Sequence, residues 1–133
     1  MPTILVLGTD HYADENGQEN SYRNGGQADF IIVLVIDNDR ETITPIQIDR
    51  DTIAKVTIIG VLGNETGTRD TQICLAHGFG DGRDWSCQLQ RDAVSRLMYG
   101  IDIPYYVSLS LDGISKLNDS IGGVTVTIRD DFS

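Results

Sequence analysis

Four charged residues stand where apolar runs give way to polar ones: Asp10, Asp29, Arg50 and Asp51. The run "TILVLG" (3–8) closes on glycine and is followed by Thr9 and Asp10. "DFIIVLVID" (29–37) opens on Asp29, and "ITPIQIDRDT" (43–52) ends in Asp49, Arg50 and Asp51. Paired carboxylates supply oxygen ligands to a hard divalent cation, and a guanidinium offers parallel N–H donors that match a phosphate. The chemistry open to this set is therefore the binding and charge neutralisation of a phosphoryl group. Its ordinary competitor is a set of solvated turns, which spacing alone does not exclude.

These residues need strands to bring them together. A buried strand over 3–8 delivers Asp10 at its carboxyl end. Segments 29–37 and 41–48, separated by "NDR", read as a hairpin, which makes Asp29 and Arg50 neighbours in space. If the first strand lies beside them, Asp10 joins the group. Pro45 assigns the 41–48 strand to an edge or a bulge. Residues 11–28 form a long polar loop containing Arg23, and loops of that length in compact domains are usually functional or mobile.

Further along, "KVTIIGVLG" (55–63) reads as a strand and "NETGTRD" as the turn after it. Residues 86–99 carry Leu89, Ala93, Val94, Leu97 and Met98 on one stripe, the pattern of an amphipathic helix. Asp84 or Ser86 is the expected cap and Gly100 the terminator. "YYVSLSL" alternates as a strand, "DGISKLNDSI" fits a short helix, and "GGVTVTI" reads as a last strand. The mixture predicts an α/β (α+β) fold: one mixed central sheet with helices packed on its faces.

The chain has 133 residues, a size that suits a single domain, 1–133. Its net charge of −10 opposes long-range attraction to nucleic acid or to an anionic bilayer, so no nucleic-acid partner is expected. A phosphate-bearing ligand must then be met by local arginines or a metal. No apolar run approaches the roughly 20 residues that cross a bilayer. The chain begins almost inside its first strand, as an excised domain does.

Cys74 and Cys87 flank the glycine-rich "LAHGFGDGRDWS". A zinc site is not expected, because His77 is the one nearby histidine and no C-x-x-C pair is present. Two buried thiols and one disulfide both fit the spacing. The glycines are not a nucleotide loop, since no Gly-Lys-Ser/Thr follows them. Asp37, Asp39 and Glu41 resemble a calcium loop only at its start, and His11 and His77 read as surface or loop residues.

Taken in order, "ILVLGTD", "GGQADFIIVLVID", "ITPIQIDRDT", "QICLAHGFGDG" and "YGIDIPYYVSLSLDGISKLNDSIGGVTVTI" resemble the LytR-CpsA-Psr family of bacterial cell-envelope proteins over nearly the whole chain. The resemblance implies an extracytoplasmic phosphotransferase that moves a glycopolymer, of teichoic acid or capsular polysaccharide type, from a polyprenyl-pyrophosphate carrier to peptidoglycan. By motif it implies Mg2+ on Asp10 and Asp29, and catalysis by Arg50 with Asp51. It also implies a membrane anchor formed by an N-terminal helix absent here, and an envelope location. An extracytoplasmic domain permits a disulfide, and in that context a Cys74–Cys87 bridge is expected.

The chain departs from the family pattern at several positions. Where the family has Arg-Ser-Asp-Thr, this sequence has Gln27-Ala28-Asp29-Phe30, and Arg23 is the candidate replacement for the lost arginine. Asp49 stands for the proline of Pro-Arg-Asp, and Gln72-Ile73-Cys74 for Lys-Ile-Asn. The family continues into an arginine-rich segment beyond Ser133, so a domain shortened at its carboxyl end is expected. The expected substrate-binding set is Arg50, Arg23, Gln27 and Arg83. The alternative is a non-catalytic envelope module that binds a polyprenyl-pyrophosphate lipid or wall glycan. A transcription-attenuator role by direct nucleic-acid contact is disfavoured by the acidic charge.

Overall fold

A computed structural model describes residues 1–10 and 26–131. In chain order the elements are β1 (Thr3–Thr9), β2 (Ala28–Asp37), β3 (Thr42–Ile48), β4 (Ile53–Ile59), β5 (Glu65–Gln72), α1 (Leu75–Gly78), α2 (Asp84–Leu97), β6 (Tyr105–Ser110) and α3 (Leu111–Ser120). Four strands form a mixed sheet in the order β3-β2-β1-β6, while β4 and β5 pair with each other in a separate hairpin. β1 runs antiparallel to β2 and parallel to β6, and β2 runs antiparallel to β3.

Strand periodicity explains the core. Leu5 and Leu7 of β1 and Ile31 and Val33 of β2 are completely buried, two residues apart on each strand as one sheet face requires. The amphipathic α2 lays Ala93 and Val94 into this core and buries Leu89 as well. Val56 of β4 and Ile73 close it from the side. Gln90 is buried too, and its amide is satisfied twice. Its Oε1 accepts from the His77 backbone N at 3.1 Å and its Nε2 donates to the Ile73 carbonyl at 2.9 Å, which fixes α1 against α2.

The mixed sheet, the β2–β3 hairpin and the edge position of Pro45, paired with Leu34, agree with the sequence reading. Elsewhere the structure corrects it. "NETGTRD" is mostly strand: β5 starts at Glu65 and pairs with β4 through Ile53↔Gln72, Val56↔Arg69 and Ile58↔Gly67. Its residues are exposed along nearly their whole length, so no apolar alternation marks it. The turn is Gly60–Asn64, closed by Gly60 N to the Asn64 carbonyl at 2.9 Å.

α2 starts at Asp84, and Arg83 at its N-cap makes no side-chain cap bond. Asp81 takes over that function, accepting from the backbone N of Arg83 at 2.8 Å and of Ser86 at 3.3 Å. The four-residue α1 was not anticipated. His77 within it is buried, with Nδ1 3.0 Å from the Gly26 carbonyl, where the sequence had suggested a surface residue. "GGVTVTI" forms no strand, because no strand among the described residues lies alongside it to complete its hydrogen bonds. Val124, Val126 and Ile128 stay exposed.

The β1–β2 ladder slips once, between Gly8 and Thr9: Gly8 pairs with Phe30, and Thr9 with Ala28. Asp29 is the extra residue of this β-bulge. Asp29 and Phe30 are consequently exposed in succession, between buried Ala28 and Ile31. Glycine is needed at position 8 because a Cβ there would lie 2.9 Å from the Phe30 Cβ. Gly8→Ala is expected to destabilise the fold by about 1–3 kcal/mol through this overpacking, read from the urea midpoint. An unchanged midpoint would show that the bulge can shift freely.

Candidate functional site

The bulge and the β2–β3 register build the site. Ile31 pairs with Ile48, so the antiparallel ladder sets Asp29, two residues before Ile31, beside Arg50, two residues after Ile48. Arg50 Nη1 donates to Asp29 Oδ1 in an ion pair. Nη2 donates to the side-chain oxygen of Gln27 and lies 3.8 Å from Cys74 Sγ. Nε is 3.7 Å from Asp51 Oδ1.

The three consecutive charges 49–51 thus divide the work. Asp49 builds the turn: its Oδ1 accepts from Asp51 N at 2.8 Å and its carbonyl from Thr52 N at 3.1 Å, an Asx-type geometry. Asp51 accepts from Gln72 Nε2 at 3.0 Å, which ties the turn to the end of β5. Arg50 points back over the start of β2. The segment after β5 locks this arrangement through backbone bonds from Ile73 N to the Thr52 carbonyl, Cys74 N to the Arg50 carbonyl and Ala28 N to the Cys74 carbonyl.

Asp10 joins through Gln27. Its Oδ1 accepts from Gln27 N at 2.7 Å, and its own N donates to the Gln27 carbonyl at 3.3 Å. Asp10 and Asp29 are therefore linked, one through the Gln27 backbone and the other through the arginine that Gln27 also holds. Hard oxygen donors of this kind suit a divalent cation that draws its remaining ligands from water and phosphate. No three His, Cys, Asp or Glu side chains converge among the described residues.

Arg50 keeps its charge firmly. Burial works against the guanidinium, but Asp29, Cys74 and Asp51 outweigh it and raise its pKa. With side-chain exposures of 41% for Arg50 and 40% for Asp29, both partners remain reachable by a ligand.

The other expected residues fall differently. Arg83 is not among the contacts of Arg50. It lines a cleft of about 400 Å3 between the start of α2 and the carboxyl ends of β1 and β6, with Thr9, Cys87 and Ser110. Arg23 lies outside the described residues. The expected Cys74–Cys87 bridge is not present: both are free, buried thiols. They serve different neighbourhoods, since Cys74 faces Arg50 and Gln27 whereas Cys87 lines the cleft with Ser108. The contact between Cys74 and Arg50 went unread, because nothing local in "QICLAH" points across to β3.

A mixed sheet with helices on it, carrying Asp10, Asp29 and Arg50 where its strands meet their loops, defines an α+β domain. Within that class, the chain belongs to the LytR_cpsA_psr family, which it matches over residues 2–133. It is 33% identical over 124 residues to the polyisoprenyl-teichoic acid–peptidoglycan teichoic acid transferase TagU of Halalkalibacterium halodurans, covering 93% of this chain and 34% of that protein. The enzyme of the same description, TagV, from Bacillus subtilis is 28% identical, with 98% of this chain and 28% of that protein covered. The fold matches the crystal structure of protein gbs0355 from Streptococcus agalactiae with a TM-score of 0.75 at 23% identity, over 98% of this chain and 40% of that one. The chain thus spans about a third of the length of these curated relatives.

Two expectations follow from the thiols. Thiol titration of the unreduced, denatured chain should return two free groups, and a return of none would restore the bridge. Burial raises the pKa of both, opposed at Cys74 by the charge of Arg50 and at Cys87 by Ser108. The folded chain therefore holds these protons more tightly than the unfolded chain. The resulting stability is complete below the ordinary thiol value of 9.0 and is lost as pH rises through the higher folded values. The urea midpoint should accordingly fall above that pH, and less steeply in a Cys74→Ala/Cys87→Ala double variant.

Proposed function

We propose that this chain carries the anion-gripping part of a phosphotransferase that moves a teichoic acid type glycopolymer from a polyprenyl-pyrophosphate carrier to peptidoglycan, at the bacterial cell envelope. The observation that carries the reading is Arg50, held at the mouth of the sheet with its charge intact and partly exposed, beside Asp29 and tied through Gln27 to Asp10. The names of the TagU and TagV relatives supply the substrate class.

In such a transfer an acceptor hydroxyl attacks the glycopolymer-side phosphorus, the pyrophosphate bridge breaks, and polyprenyl phosphate leaves. Negative charge builds on the leaving oxygens, and a preorganised guanidinium stabilises it without reorganisation at the moment of reaction. Arg50 suits this role because the Asp49 turn and the 72–74 segment fix its backbone on both sides. Asp51 acts on the clamp, near Nε, while its other bond holds Gln72. Asp10 and Asp29 would hold Mg2+, and the ion when bound would supply further positive charge at the phosphates. No helix among the described residues is long and apolar enough to cross a membrane. Membrane attachment of the native protein belongs to this proposal.

A second reading, binding of the carrier lipid or a wall glycan without transfer, is favoured by one observation. Among the described residues, Arg50 is the one arginine in contact with Asp29 or Gln27.

Calorimetric titration with farnesyl pyrophosphate, with and without Mg2+, tests the proposal. Mg2+-dependent binding is expected. Arg50→Ala should weaken it about tenfold or more, the worth of a charge-assisted hydrogen bond, and Asp29→Asn should remove most of the Mg2+ dependence. Equal binding with and without Mg2+ would favour the module that binds without transfer. No binding at millimolar ligand would remove the pyrophosphate reading.

A further inference from the structure

Three features lie outside the roles assigned so far: the cleft at Arg83 and Cys87, the exposed Val61 and Leu62 at the tip of the β4–β5 hairpin, and the double engagement of Gln27. The third is carried furthest by its contacts.

We infer that Gln27 is a positioning residue, which aims Arg50 and couples it to Asp10, rather than a direct ligand of the substrate. The inference deepens the reading above and rests on it for its link to pyrophosphate.

Three contacts of Gln27, with the Asp29–Arg50 pair beside them, carry it. The Gln27 side-chain oxygen accepts from Arg50 Nη2, while Asp29 accepts from Nη1, so the two ends of the guanidinium fork are held by different residues. The Gln27 backbone meanwhile bonds Asp10 in both directions, N to Oδ1 at 2.7 Å and carbonyl to the Asp10 N at 3.3 Å. One residue therefore touches the candidate cation ligand with its main chain and the candidate phosphate clamp with its side chain. Any shift of Asp10 is passed to the plane of the guanidinium.

The residue type matters as much as the position. An amide oxygen is a neutral acceptor, so it orients the guanidinium without cancelling its charge. A glutamate here would set a third carboxylate against Arg50, after Asp29 and Asp51, where an anionic ligand must approach. An arginine, as the family pattern has here, or a lysine offers no acceptor and so could not hold Arg50 Nη2 in this way. Glutamine combines aim with retained charge, and its neighbour Cys74 adds a weak acceptor 3.8 Å from the same Nη2.

Two measurements test the inference. In the ligand-free chain with nitrogen-15 labelled arginine, an Arg50 pinned at both ends should show slow rotation about its Nε–Cζ bond and distinct Nη1 and Nη2 resonances. Gln27→Met keeps length and lacks the acceptor, so it should average the two signals. Gln27→Glu restores an acceptor and should keep them distinct. In titration with inorganic pyrophosphate and Mg2+, Gln27→Met should bind roughly tenfold more weakly than wild type, the scale of one hydrogen bond to a charged group. Gln27→Glu should bind more weakly still, because it keeps the aim and adds repulsion.

Distinct Nη signals in Gln27→Met would overturn the inference, even if Arg50→Ala abolishes pyrophosphate binding. Averaged signals in Gln27→Met, with no pyrophosphate bound by wild type, would uphold the positioning role and sink the pyrophosphate reading instead. Circular dichroism and thermal melting of each variant separate local loss of aim from unfolding. All three chains keep the Gln27 backbone bonds to Asp10, so a common fold is expected.

Discussion

The single slip in the β1–β2 ladder is the constraint on which the site depends. A strand with unbroken period would place Asp29 on the face opposite Phe30, and the pairing would carry one of the two toward the core. The bulge opposite Gly8 lets both face outward, between buried Ala28 and Ile31. Bulges commonly re-aim a side chain next to a binding site. Here the consequence is that a carboxylate leaves the sheet beside the point where the next strand, β3, gives way to Arg50, and the two meet without either being buried.

Around that meeting point the protein spends hydrogen bonds on the backbone more than on the charges. Asp49 closes the turn, Cys74 and Ile73 bond the carbonyls of Arg50 and Thr52, and Gln90 fastens the segment behind them to α2. The guanidinium itself is left partly solvated. Exposed ion pairs add little to stability, so the Asp29–Arg50 contact is better understood as presentation of charge than as a strut of the fold.

How much of this was legible in the sequence follows from which interactions are local. Strands β1 and β2 and helix α2 announced themselves because their apolar residues fall on the face they bury, β3 followed from the short loop that joins it to β2 although only its Ile48 is buried, and antiparallel pairing then made Asp29 and Arg50 neighbours by counting. β5 was misread as a turn because both its faces are polar, and it is a strand only through its partner β4. "GGVTVTI" was misread in the opposite sense, having the alternation but no neighbouring strand among the described residues. A bridge was expected because the family resemblance implies an extracytoplasmic domain, while the spacing itself fits free thiols equally and cannot report direction. Cys74 and Cys87 lie on opposite sides of a glycine-rich turn and serve separate clusters. The part of Gln27 was likewise hidden, since its partners lie 17 and 23 residues away in the chain.

The exposed, alternating Val124, Val126 and Ile128, together with Ile114 and Leu117 of α3 and Ile121 at its C-cap, bear on how the chain behaves in concentrated solution. A segment whose main chain pairs with no strand among the described residues can template another copy of itself, and apolar side chains on alternate positions reward that pairing. Opposing this is a net charge of −10, which keeps copies apart only while it is unscreened. Colloidal stability is therefore a balance between a sticky end and an acidic body. It tips toward association in high salt, and again as the pH descends toward the isoelectric point near 4.3.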